Sequence, residues 1–373
     1  MSIVKYNGKV VKYGSKWVDT GSPTPVILAG TVRFKFSNDS YDPTSGTWNA
    51  GAVWTRVSTS PNVWDYHRDA TSWTAEFSDK FPRVFQGGNV EILDSNFSGV
   101  TTLTQMFLNC RSLVQVHSMR NTGDAVEFYD TFCSCSNLTH VCKFDIGDLS
   151  SGFYGCDGLF RGCSSLLEIP PLDFSRAKRG VYMFSNCSSI TELPSTFTTA
   201  NWTAGYGMFA GCTNLRSIPN TLDTSKMNYL ASLFAYCSSL TSVPYVSTAS
   251  LSRSSYYNNL IHSMFAGCSS LLHAPANFDT TNAKGISNLF SGCTSLKEVP
   301  LLNTAYLTDM SNAFNGCVSV EAGALALYTQ ASTQANPPTS YGDCFKDCGS
   351  VGNPSELAQI PTSWGGTMAE GNE

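Results

Sequence analysis

Charge is scarce in this chain. Asp, Glu, Lys and Arg make up only 14% of its 373 residues and leave a net charge of -5. That excludes the basic, phosphate-neutralising surface on which nucleic-acid binding draws. Histidine is rarer still: His67, His117, His140, His262 and His273 are all there are, none beside a nucleophile motif, and glycine-rich phosphate loops are missing too. No apolar run reaches the roughly 18 residues of a membrane span; the richest stretch lies around Gly323 to Tyr328. The first residues, Met1 to Tyr13, hold no apolar segment of signal-peptide length, so the expectation is a protein not directed to secretion. Sustained heptads are also lacking and so point to no particular assembly, and a homo-oligomer, a trimer included, stays open.

What is present is a repeat. Phe-x-x-Cys occurs ten times, at Phe107/Cys110, Phe132/Cys135, Phe160/Cys163, Phe184/Cys187, Phe209/Cys212, Phe234/Cys237, Phe265/Cys268, Phe290/Cys293, Phe314/Cys317 and Phe345/Cys348. Six residues after each Phe stands an aliphatic residue, from Leu113 to Val351, and six copies place Pro at Phe+10. The Leu-to-Pro run alternates and reads as a short strand; the segment before the Phe, as in Met227, Leu230, Phe234 and Cys237, has helical spacing and reads as a short helix or 3₁₀ turn. Asp173, Asp223, Asp279 and Asn303 suit caps and Asx-turns at its start. A unit this small cannot bury its own apolar face, so it stacks on its neighbours. The expected fold class is therefore α/β: a leucine-rich-repeat-like right-handed solenoid of about ten 24–31-residue repeats, with an N-terminal β-rich capping domain.

Ten of the 14 cysteines share one repeat position and form a column. Neighbouring thiols at strand spacing have parallel Cα–Cβ vectors, which disfavours bridging, so buried free thiols are expected, each a weak S–H donor to a carbonyl at a tight bend.

In chain order, residues 1–28 read as an N-terminal hairpin and linker serving as an anchor, because Asn7-Gly8 separates two β-rich runs and Gly21 to Pro25 is proline-rich. Residues 29–89 read as the capping domain, with strands at Thr31–Phe36, Ala52–Val57 and Asn62–Tyr66 and a helix from Ser72 to Phe81. Trp17, Trp48, Trp54, Trp64 and Trp73 fall in or just before it, as core or as a sugar-binding platform. Residues 90–350 are the solenoid, with Glu321 to Gln334 a true helix, and residues 351–373 a C-terminal cap and loose tail beginning at Ser363.

Cys133, Cys135, His140 and Cys142 could hold zinc but match no standard spacing, and Asp173, Asp223 and Asp279 could ladder calcium but are explained by capping. No metal, cofactor or catalytic residue is expected. The run Arg176 to Arg179 reads as a solvated loop. Candidate binding residues are Arg253, Tyr256 and Tyr257, on a six-residue insertion that answers to no neighbouring rung. Trp202, Tyr206, Tyr229 and Tyr245 extend them as exposed aromatics across adjacent rungs.

The unit Met264-Phe265-Ala266-Gly267-Cys268-Ser269-Ser270-Leu271 resembles the BspA-like leucine-rich repeats of bacterial surface proteins, over about residues 90 to 350. The stretch Thr31 to Asp65 and the ending from Gly323 onward resemble flanks of such repeats in proteins of gut-bacterial phages and their hosts. This resemblance implies adhesion or attachment and supplies no catalytic residues. The expectation is a non-enzymatic phage virion attachment or fibre protein, assembled in the host cytoplasm and displayed on the virion surface. Its partners would be other virion proteins, through the N-terminal segment, and host-cell or mucosal glycans or proteins; nucleic acid and membrane are not among them. A bacterial cell-surface adhesin and a glycan-degrading enzyme stay open as alternatives.

Overall fold

The structure, a computed structural model, describes residues 2–6, 9–13, 29–36, 53–56, 63–68, 89–147, 155–251, 260–276 and 278–368. Strands β1 (Ser2–Tyr6) and β2 (Lys9–Tyr13) pair antiparallel with Tyr6 opposite Lys9, the hairpin register that an Asn-Gly turn specifies. The turn itself, the linker to residue 28 and the helix read over Ser72 to Phe81 lie outside the described residues.

A six-stranded mixed sheet begins the repeats. Its order is β4 (Val53–Arg56), β5 (Val63–His67), β3 (Thr31–Phe36), β6 (Val90–Asn96), β7 (Leu113–Val116), β8 (His140–Val141). The first four strands pair antiparallel, and from β6 onward the pairing is parallel. β3 is buried along nearly its whole length, and Arg33 inside it is met in bidentate fashion by Asp65 at 2.7 and 2.8 Å. That fork satisfies a charge pair that would otherwise be expensive to bury. Trp64 is buried in this core rather than displayed as a platform; Trp17, Trp48 and Trp73 lie outside the described residues.

Beyond β8 the backbone departs from both halves of the expected rung. The helical-spaced segment is a run of turns, because the residues two before and two after each Phe are left-handed. Gln105, Asp130, Gly158, Tyr182 and Gly207 illustrate the first position (φ 54°, 52°, 64°, 55° and 58°) and Asn109, Ser134, Gly162, Asn186 and Gly211 the second (61°, 61°, 74°, 61° and 76°). A left-handed residue every fourth position breaks an α-helix. The gain is that N–H groups alternate in target: Met208, Ala210 and Cys212 bond three residues back, whereas Gly207, Phe209 and Gly211 bond carbonyls of the next rung at 2.7–3.0 Å. The turns therefore stitch rung to rung. Few regular helices remain: α1 (Ala324–Thr333), within the stretch that reads as helix, the short α2 (Pro354–Leu357) and a 3₁₀ turn at Thr362–Trp364.

The Leu-to-Pro runs in later rungs do not alternate in and out as a strand would: they bury their first and fourth residues, as Leu215 and Ile218 or Leu240 and Val243 do, and form only isolated parallel bridges, such as Ser217↔Ser242 and Glu298↔Ala322. Proline at Phe+10 removes the donor that would continue the ladder.

Inside, the ten phenylalanines stack into one column. Ring centroids are 5.2–5.9 Å apart, with planes within 15° of each other, from Phe107 to Phe345. Trp364 closes it, 5% exposed and stacked on Tyr341 at 4.3 Å and against Phe345, so residues 363–368 form a plug and not the expected loose tail. The thiol column is as the geometry of the bend suggested: Cys135, Cys163, Cys187, Cys212, Cys237, Cys268, Cys293 and Cys317 each donate S–H to the carbonyl of the preceding rung's Phe at 3.1–3.2 Å. No cysteine is bridged.

A third column was not foreseen. Thr199, Thr224, Thr248 and Thr280 are buried and donate their hydroxyls across to the carbonyls of Asp223, Ser247, Asp279 and Asn303. The adjacent Asp173, Asp223, Asp279 and Asn303 form the expected Asx-turns, each accepting an N–H two residues on.

Candidate functional site

On one corner of the stacked turns, side chains line up across rungs. Tyr182, at Phe-2, meets Tyr206 edge-on at 4.8 Å; Tyr206 stacks on Tyr229 at 4.7 Å and 17°; and His262 lies 6.3 Å from Tyr206. All four are half-buried. The left-handed backbone aims Tyr182 across to the next rung, where Gly207 makes room, since a Cβ there would stand 2.5 Å from the Tyr182 ring. Burial, then the hydrogen-bonding Tyr206 hydroxyl, raise Tyr182 above the usual phenol range, while burial lowers His262. Tyr182 and His262 are therefore uncharged near pH 7.

At its Tyr182 end the ladder opens into a cleft of about 220 Å³ lined by Tyr129, Asp130, Asp157, Arg161, Arg179 and Tyr182. Asp157 Oδ1 accepts the Val181 N–H at 2.9 Å and Oδ2 lies 2.8 Å from Arg179 Nε; Asp130 Oδ2 accepts from Arg161 at 3.2 Å. Both carboxylates are almost fully buried, at 5% and 4% exposure. Burial pushes Asp157 up to about 6 against the lowering pull of Arg179, with Asp130 adding repulsion; burial likewise raises Asp130. Arg179 is thus no part of a solvated loop but the counter-charge of a buried acid.

Of the residues predicted from sequence, Tyr206 and Tyr229 are brought together in the ladder. Tyr245 is exposed (51%) but follows Pro244, eleven positions after its Phe, on another corner of the rung. Trp202 is not a surface residue. It is fully buried, packs edge-on against Phe174 and Phe197, and donates Nε1–H to the Phe174 carbonyl at 3.2 Å. Its space comes from Gly180, where a Cβ would fall 2.0 Å from the indole. The signal was in the repeat: Trp202 stands at Phe-7, a column that also holds Val100, Ala125, Ala177, Met227, Ala283 and Leu307, all buried. Arg253, Tyr256 and Tyr257 lie outside the described residues. Tyr182 and the two aspartates were missed, though all three occupy Phe-2 or Phe-3, the positions where the turns display side chains.

The cysteine and histidine cluster does not gather as a metal site. Cys135 gives its S–H to Phe107, Cys133 Sγ receives Arg161 Nε at 3.4 Å, and His140 Nδ1 meets Thr139. Among the described residues no three His, Cys, Asp or Glu side chains converge as a metal site. No helix of the described residues is long and apolar enough to cross a membrane.

These stacked turns, with one Phe, one Cys and one Leu each, have a counterpart among known repeats. Residues 156–262 match, in six copies, the family described as the BspA type leucine rich repeat region. The repeats are similar to the BspA type. Residues 258–328 match a second family, described as a Mycoplasma protein of unknown function. No curated protein and no solved structure matches the chain. The BspA-type match covers both stacked tyrosine pairs and His262, so the candidate site belongs to the repeats and not to an inserted domain. Repeats of the BspA type suggest a binding or adhesion role.

Proposed function

We propose that this protein is a non-enzymatic recognition protein that binds host-cell or mucosal glycans or proteins through the corner carrying Tyr182, Tyr206 and Tyr229. Its repeats would wind as a right-handed coil of about ten rungs. The stacked, half-exposed, uncharged tyrosines carry this reading. Rings held in register by the backbone lose little entropy on binding and offer apolar faces to sugar C–H groups beside polar edges. The insertion residues Arg253, Tyr256 and Tyr257 follow Tyr229 in sequence and would extend the surface. The resemblance of the flanking segments to phage proteins supports a place on a virion, joined through the N-terminal segment.

Hydrolysis is the weaker reading. Glycosidases place two carboxyl groups on the scissile bond, whereas both oxygens of Asp157 are taken, by Arg179 and the Val181 N–H, which leaves no second carboxylate free to act. The test is binding of the purified protein to host cells and to a glycan array, with Tyr206→Ala and Tyr229→Ala. Both variants should keep their melting temperature within a few degrees and lose binding. Retained binding, or release of sugars from mucin-type or capsular glycans, overturns the proposal. Fractionation separates the settings: protein that co-purifies with particles supports the virion, and protein held in the cell envelope supports an adhesin.

A further inference from the structure

The cleft beside the tyrosine ladder contains an atom that its neighbours leave unmet. Asp130 is held in the left-handed region with its carboxylate buried; Arg161 meets Oδ2 at a long 3.2 Å, and the Tyr129, Cys133 and Gln105 side chains stand close to the carboxylate. Oδ1 is buried with no donor among the described residues. It occupies the space that a side chain on Gly158 would fill, since a Cβ built there falls 2.0 Å from it. A buried carboxylate oxygen without a donor is costly, and native structures rarely keep one without a use. Asp157 is different: backbone and guanidinium take both its oxygens. The wall beside Asp130 is also the movable one, because the Arg161 side chain is 41% exposed.

We propose that this cleft is a subsite for one neutral pyranose ring: a sugar hydroxyl donates to Asp130 Oδ1, a neighbouring sugar oxygen accepts from Arg161, and the C–H face of the ring rests on Tyr182. The proposal deepens, and rests on, the glycan-recognition reading above. The unmet atom is an acceptor, so the ligand supplies a donor. An ammonium donor would face Arg161 and Arg179, and an acidic sugar would bring its carboxylate against Asp130 and Asp157. Two carboxylates and two guanidiniums leave the cleft without net charge, which favours a neutral ligand. Its volume, about 220 Å³, is below the range of drug-sized sites and suits a single ring.

The experiment is titration of the full-length protein with methyl galactopyranoside, methyl glucopyranoside, methyl mannopyranoside and N-acetylneuraminic acid, read by saturation-transfer NMR and calorimetry. At least one neutral glycoside should bind in preference to the acidic sugar. Asp130→Asn and Arg161→Gln should each weaken that binding tenfold or more, and Leu301→Ala, at a residue 75% exposed and several rungs away, should leave it within twofold. Asparagine tolerates the left-handed backbone; if Asp130→Asn still fails to fold, Arg161→Gln at the rim decides. Preference for the acidic sugar, or affinity within twofold of wild type in the folded variants, overturns the subsite. If no glycoside binds while host cells are still bound, the subsite is overturned and recognition stands; if neither binds, the recognition reading falls as well.

Discussion

Replacing Phe209 by alanine tests what holds the stacked rungs together. Its ring is fully buried, 5.8 Å from Phe184 and 5.9 Å from Phe234, within 6° of parallel to both, with Phe197 edge-on at 6.0 Å. Truncating such a ring costs about 3–5 kcal/mol, as lost transfer plus a cavity. The upper half of that range is expected, because the rungs on either side are pinned by the Phe184 N–H to Met208 and Phe209 N–H to Leu233 bonds and cannot close on the void. Phe209→Leu separates the contributions. Leucine keeps most of the apolar volume but loses two stacked pairs at about 0.5–1.5 kcal/mol each, so a loss of about 1–3 kcal/mol follows. Equilibrium denaturant unfolding reads both from the midpoint at constant slope. In a chain where each repeat touches only its neighbours, Phe209→Ala should also weaken coupling enough to split the transition in two. A loss under 1 kcal/mol for Phe209→Ala refutes the column as the core, and a Phe209→Leu protein as stable as wild type refutes stacking as a contributor.

Gly180→Ala should lose about 1–3 kcal/mol by overpacking Trp202, in the same denaturant assay, and a combined Gly180→Ala/Trp202→Phe change should recover part of that loss; no recovery means the strain lies elsewhere. The column thiols should resist alkylation in the native protein and all react once it is denatured, because burial pushes Cys212, for instance, up to about 12; bridged adjacent rungs in the unreduced protein would contradict this. Asp157 should titrate near pH 6 by carboxyl carbon NMR, and Asp130→Asn should lower that midpoint by removing a repelling charge. Because its folded value lies above the ordinary 3.8, the stability it contributes is complete below about pH 4 and is lost as pH rises through 6; a protein whose Asp157 titrates below 4 refutes the buried cleft.

The sequence by itself determined the repeat, its length and its three core positions, since a residue that must meet its own copy on every rung is visible as a period. The thiol column followed from the same reasoning, and so did the Asx-turns, which depend on a side chain and an N–H only two residues apart. Apolar spacing also suggested a short helix or 3₁₀ segment before each Phe, and only part of that holds: Met227, Leu230 and Phe234 are buried as a helix would bury them and half the N–H groups bond three residues back, but alternating left-handed residues free the other half to bond the next rung. Only the tertiary structure decided that, because the benefit lies on another rung some 25 residues away. The same holds for the site. Trp202 looked like a surface aromatic until Gly180, on the rung before, showed the space kept for it. Tyr182, Asp130 and Asp157 became a site only when stacking put residues 182 and 206, or 130 and 161, side by side. A period shows which positions share a column; which columns face inward, and which side chains lie across the next rung, depends on backbone geometry and on the size of the residue that the neighbour presents.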